Sequence, residues 1–114
     1  MNGKMDLFFE HLGRYYVLDW KSNYLGAITE DYSSAALAIA MNESNYHLQY
    51  LIYTLAAKKY LESRLPAFDY ETQFGGVIYL FVRGMRIGSD AGIFACKPAL
   101  SKIVQLENML MGKL

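Results

Sequence analysis

Several things are scarce in this chain, and each shortage excludes something. Cys96 is the one cysteine in 114 residues, so no internal disulfide can staple the fold and a reducing, cytoplasmic setting is expected. Neither sign of charge is in excess. Eleven Lys and Arg stand against eleven Asp and Glu, so no global positive field advertises a nucleic-acid binder and any DNA contact must be local. Apolar runs are short. None approaches the roughly 20 residues that cross a bilayer, and the first residues lack a secretory pattern, so no membrane partner is expected. Proline occurs twice, at Pro66 and Pro98, and repeats and low-complexity segments are missing. What the chain has is apolar and aromatic bulk. Hydrophobic residues make up 54% of it, with ten Tyr and six Phe, which excludes disorder and predicts one small domain over residues 1–114 that needs most of these residues for its core.

The most informative stretch runs from Tyr15 to Asn23, Tyr-Tyr-Val-Leu-Asp-Trp-Lys-Ser-Asn. Its aromatic and branched residues favour a strand. With a side-chain period of two, Tyr15, Val17, Asp19 and Lys21 share one face, with Asp19 and Lys21 roughly 6 to 7 Å apart along the strand. Tyr16, Leu18 and Trp20 take the other, where Trp20 is expected in the core. Met5 to Glu10 forms a second candidate strand, and His11-Leu12-Gly13-Arg14 between the two reads as a hairpin loop. That loop sets Glu10 opposite Tyr15 and Asp6 opposite Asp19. Like charges so placed, with β-carbons roughly 5 Å apart, repel unless a cation lies between them or one is protonated. Two carboxylates suit Mg²⁺ or Mn²⁺, with a backbone carbonyl, that of Trp20, and waters completing the shell. The same residues also make a plain strand-end ion cluster, Asp19 with Lys21 and Asp6 with Lys4.

Farther along, Tyr24 to Tyr32 is a polar connection, and Ser33 or Ser34 caps a helix through Ala35 to Met41. Ser44 or Asn45 caps a longer one from Tyr46 to about Arg64, with Leu48, Leu51, Ile52 and Leu55 as its apolar stripe and Lys58, Lys59 and Glu62 at its wet end. Pro66 stops it. Phe74 to Val82 lacks alternation, which predicts a central strand buried on both faces. Arg86 to Asp90 turns, Gly92 to Cys96 is a short strand, and Pro98 opens a helix with Leu100, Ile103, Val104, Leu110 and Met111 on one side. The order predicts an α/β fold, a mixed β-sheet flanked by helices.

The pattern Gly3-x-x-Asp6 followed by Asp19-Trp20-Lys21 resembles the PD-(D/E)xK nuclease superfamily. Tyr15 to Asn23 is similar to the RecB-type nuclease domain found in the exodeoxyribonuclease V beta subunit. Gln49-x-x-x-Tyr53 resembles the Gln and Tyr pair on that family's following helix, and Gly75 to Phe81 with Arg83-Gly84-Met85, then Gly92-Ile93-Phe94, resemble its next strands. The likeness covers about Gly3 to Pro98. It implies a restriction-endonuclease-like core and a metal-dependent DNA nuclease in a repair and recombination helicase–nuclease, beside other subunits. It also implies helices and a metal-binding His upstream of Asp6. Neither His11 nor His47 stands there, so an N-terminally truncated domain, the C-terminal portion of the whole, is expected.

Under that resemblance Asp6, Asp19 and Lys21 are the catalytic set, with Asp6, Asp19 and the Trp20 carbonyl on the metal. Lys21 is expected in a solvated cleft, adding little to stability, where it orients or deprotonates the attacking water or holds a phosphate oxygen. Gln49 and Tyr53, four apart on a helix, are either a polar pair at the core margin or substrate-binding groups that hydrogen-bond the site or the DNA backbone. Ser22 and Asn23 need no role beyond a turn. The aromatics, Tyr46, Tyr50 and Tyr60 among them, are able to stack on bases, but at this density tyrosines read as core and rim, and Cys96 as a small apolar residue. Two functions follow: an active nuclease module, or an inactive remnant serving DNA binding or assembly. Without the upstream helices, Leu7, Phe9, Tyr16, Leu18 and Trp20, or whichever of them the remaining helices leave uncovered, would form an apolar patch and drive a homodimer.

Overall fold

The computed structural model describes residues 7–110. Strand β1, Leu7–His11, turns through Leu12 and Gly13 into β2, Arg14–Lys21. Both turn residues have positive φ, 53° and 81°, the geometry of a two-residue turn whose twist matches that of the flanking strands. The Gly13 N–H donates to the Glu10 carboxylate at 2.6 Å. The turn is therefore two residues, not four, because His11 and Arg14 already pair across it. The predicted register survives, with Glu10 opposite Tyr15 and Leu7 opposite Leu18. Asp6 lies outside the described residues.

Helices α1, Ser34–Glu43, and α2, Tyr46–Arg64, follow a single 3₁₀ turn at Thr29–Tyr32. Ser33 caps α1 by accepting the Ala36 N–H. Asn45 holds the cap position of α2 at φ 57°, with no side-chain capping bond. A one-turn helix, α3 (Tyr70–Gln73), leads into β3, Phe74–Phe81, and a 3₁₀ turn at Val82–Gly84 precedes β4, Ile93–Cys96, and α4, Leu100–Leu110. The sheet order is β1-β2-β3-β4, with β2 and β3 parallel and both edges antiparallel. This is the predicted mixed α/β sheet, compatible with a restriction-endonuclease-like core. Among the described residues no helix is long and apolar enough to cross a membrane.

The two faces of the sheet differ. Val17, Phe74, Val77, Tyr79 and Phe81 are buried together with Leu37, Met41, Tyr53, Ala57 and Leu61 of α1 and α2. Opposite, Trp20 is 51% exposed, Leu7 and Ile93 are exposed, and Phe9, Tyr16, Leu18, Ile78 and Leu80 are half-buried. Trp20 is thus not core, and β3 is buried on one face rather than both. The reason is simple: α1 and α2 pack on the Val17 side, and apolar content alone does not reveal which face receives them. Helix α2 also turns differently from its leucine pattern. Its sheet-facing residues are Tyr53, Ala57 and Leu61; of the expected stripe Leu55 is buried, Leu51 and Ile52 are half-buried and Leu48 is exposed. Lys58 is buried rather than wet, because α4 brings Glu107 to it and to Lys59. Of the stripe expected on α4, Ile103 is buried and Leu100 half-buried, while Val104 and Leu110 face solvent and Met111 lies outside the described residues.

Burial pushes the Tyr50 and Tyr70 hydroxyls up to about 12, with Cys96 adding to the effect at Tyr50 and Glu71 at Tyr70. A folded-state pKa above the unfolded value stabilises fully below that lower value, and the contribution disappears as pH climbs through the folded one. Stability should therefore decline between roughly pH 10 and 12. Tyrosinate absorbance followed beside circular dichroism checks this. Part of the tyrosine signal should rise only as the helices melt, and complete titration near pH 10 in a folded chain would contradict the burial described.

Candidate active site

Near the carboxyl end of β2, Asp19 and Lys21 point to the helix side of the sheet, the face on which α2 lies. Asp19 pairs across the parallel ladder with Tyr79 and Lys21 with Phe81. In open sheets of this kind, functional groups gather at the carboxyl ends of parallel strands, where loops diverge and leave room for a ligand. Asp19 is 4% exposed. Its Oδ2 lies 2.6 Å from the Lys21 Nζ, whose side chain is only 12% exposed. The strand rise separates the two backbones, but the lysine folds back over the carboxylate. This is a buried ion pair, not a lysine in a solvated cleft, and its desolvation has to be offset by further contacts.

Helix α2 supplies them. The Lys21 Nζ donates to Gln49 Oε1 at 3.1 Å and sits 4.1 Å from the Tyr46 ring centre, a cation over an aromatic face. The Tyr79 hydroxyl donates to the same Gln49 Oε1 at 2.9 Å, so one amide oxygen joins strand β3 to the lysine of β2. Tyr46 in turn donates to Asn23 Oδ1 at 3.3 Å. Burial first, and then the Asp19 charge, push the Tyr79 phenol far above its ordinary range, and it stays a protonated donor.

The structure thus brings Asp19, Lys21 and Gln49 together and puts Trp20 on the uncovered face. Tyr53 is buried in the core on the same side of α2, close enough to contribute to the field at Tyr79. Its hydroxyl faces protein, not an open surface. Asp6 lies outside the described residues. His47 is elsewhere, with Nδ1 3.0 Å from the Tyr50 hydroxyl and its ring edge-on to Phe94. His11 ends β1. Tyr46 and Tyr79 are the members that the sequence reading passed over. Tyr79 carries a legible signal once β2 and β3 are paired, since it is the direct neighbour of Asp19. Tyr46 stands one helical turn before Gln49, on the same side.

Among the described residues no three His, Cys, Asp or Glu side chains converge as a metal centre. The Asp19 carboxylate and the Gln49 amide, both hard oxygens, converge on the Lys21 ammonium. That chemistry suits Mg²⁺ or Mn²⁺ and is wrong for a thiophilic ion.

No family model matches this chain. The RecBCD enzyme subunit RecB of Haemophilus influenzae is 46% identical over 109 residues, which cover 96% of this chain and 9% of that protein. Escherichia coli RecB is 45% identical over 113 residues, 98% of this chain and 10% of that protein. The RecB of Borreliella burgdorferi is 42% identical over 83 residues, 73% of this chain and 7% of that protein. The chain therefore spans about a tenth of the length of the relatives it matches. With such identity over nearly all of its residues, and with the Asp-Trp-Lys strand built into a mixed α/β sheet, the chain belongs to the RecB family.

Proposed function

We propose that this chain carries the metal-dependent phosphodiester-hydrolysing site of a DNA nuclease that works in a cytoplasmic repair and recombination helicase–nuclease, beside other subunits. The observation that carries it is the buried Asp19–Lys21–Gln49 cluster at the carboxyl ends of β2 and β3. Asp6 and Asp19 would hold Mg²⁺, or Mn²⁺ in its place, with the Trp20 carbonyl as a further ligand. Bound there, the ion supplies charge stabilisation in the transition state and a water acidic enough to attack near neutral pH. Lys21 orients that water, or meets a phosphate oxygen, as its ammonium leaves Asp19 for the incoming negative charge. Gln49 holds the lysine in reach during the exchange, and Tyr79 holds Gln49.

The uncovered sheet face favours a second role, in assembly. Leu7, Trp20 and Ile93 are exposed side by side with the half-buried Phe9, Leu18 and Leu80. Contiguous apolar surface of that kind is where protein partners seat. In the assembled enzyme this face would meet other protein. On its own, the chain would pair with a second copy, most simply about a two-fold axis.

Calorimetric titration should show Mn²⁺ binding to the parent chain and none to Asp6→Ala/Asp19→Ala; equal affinity in both would remove the metal site. Lys21→Ala should cut Mn²⁺-dependent plasmid nicking by about 100-fold or more. It should also cost about 3–5 kcal/mol of stability, because a buried carboxylate loses its cation. A variant as stable as the parent in urea would mean that the pair is solvated after all. Sedimentation across a concentration series should show self-association that Ile93→Lys weakens. A strictly monomeric parent chain would exclude the assembly role for this face.

A further inference from the structure

Just past Lys21 the chain leaves the sheet and, with the turn after β3, encloses a second cleft. Its volume is about 390 Å³ and it is lined by Tyr24, Gly26, Ala27, Tyr32, Arg83 and Arg86. The floor is rigid. Tyr32 is buried and accepts the Leu25 N–H at 3.1 Å on its hydroxyl, while the Gly92 N–H donates to its backbone carbonyl at 2.9 Å. Gly84 lies so close to the Tyr32 ring that an added β-carbon would come within 2.0 Å of it, so only glycine permits that packing.

The rim is cationic and aromatic. The Arg83 Nε donates to the Ser22 carbonyl at 2.6 Å, which ties the guanidinium to the residue after Lys21 and leaves its terminal nitrogens for a ligand. The Arg86 Nη1 donates to the Met85 carbonyl at 2.8 Å, so it too is held by backbone. Among the described residues neither arginine joins an ion pair. Asp31, the acid beside Gly26, has its carboxylate turned to the Ile28 N–H. Tyr24 is 66% exposed. Two guanidinium groups and a free aromatic face at the edge of one cleft are the parts that bind a nucleic-acid strand, phosphate to arginine and base to ring. The chain as a whole has no net charge, so this local pair supplies the attraction that composition does not.

We propose that the Tyr24–Arg83–Arg86 cleft binds single-stranded DNA next to the Asp19–Lys21 cluster, with Arg83 and Arg86 on a phosphate neighbouring the one to be cut and Tyr24 stacked on a base. The proposal rests on the nuclease reading for its substrate, but binding is measurable without any cutting.

Fluorescence anisotropy of a fluorescein-labelled oligothymidylate, with EDTA present and NaCl varied, tests it on the 114-residue chain. Arg86→Ala, or Arg86→Gln if alanine unfolds the turn, should weaken binding and flatten the slope of log affinity against log salt by about 0.7, the loss of one phosphate contact on a single strand. Tyr24→Ala should weaken binding about fivefold or more at an unchanged slope, and Tyr24→Phe should restore it. A parent chain that does not bind the oligonucleotide, or Arg86 and Tyr24 variants that match it in affinity and slope, would overturn the cleft. Intact binding in a chain that takes up no Mn²⁺ and cuts nothing would instead overturn the nuclease reading and leave the cleft standing.

Discussion

A carboxylate taken almost wholly out of water sets the terms for the rest of this domain. Asp19 sits on the helix face of the sheet, and that position is tolerable only because the Lys21 ammonium lies against it. The ammonium in turn needs partners of its own, and the nearest structure able to supply them is the first half of α2. Gln49 offers an amide oxygen and Tyr46 an aromatic face. Tyr79, the ladder neighbour of Asp19, closes the circuit by donating to the same Gln49 oxygen. The pair therefore helps determine the rotation of the helix above it. Tyr46, Gln49 and Tyr53 of its first turns accordingly lie toward the sheet, ahead of Ala57 and Leu61. Farther along, the small Ala57 allows the helix to sit close over β2 and β3.

The same arrangement divides the molecule into two surfaces of opposite character. On one side of the sheet lie the ion pair and the core. On the other, apolar side chains of all four strands reach solvent or near it, with Phe9 stacked on Tyr16 at a ring separation of 5.3 Å. A sheet with one wet, apolar face is poor economy for a free-standing monomer and natural for a module set against other protein. The two proposed roles, chemistry and assembly, therefore rest on different residues.

Much of this was legible in the residues. Alternation from Tyr15 to Lys21 placed Asp19 and Lys21 on one face, and the spacing of Glu10 and Tyr15 across Gly13 gave the hairpin register, because both depend on the two-residue period of a strand and on the local geometry of a turn. The order of strands and helices follows from capping and chain-breaking residues, as at Ser33 and Pro66, whose effects reach only a few positions. Which face of the sheet α1 and α2 would cover did not follow, since Tyr16, Leu18 and Trp20 are at least as apolar as Tyr15 and Val17. Nor did the partnership of Lys21 with Gln49, Tyr46 and Tyr79, or the meeting of Tyr24 with Arg83 and Arg86. Those contacts join residues 25 to 62 positions apart, and periodicity carries no information about such distances. The sequence by itself determined the elements, the hairpin register and the acidic strand. The tertiary structure decided which side is core, how α2 is rotated and where the cations gather, because those follow from packing and the cost of burying charge.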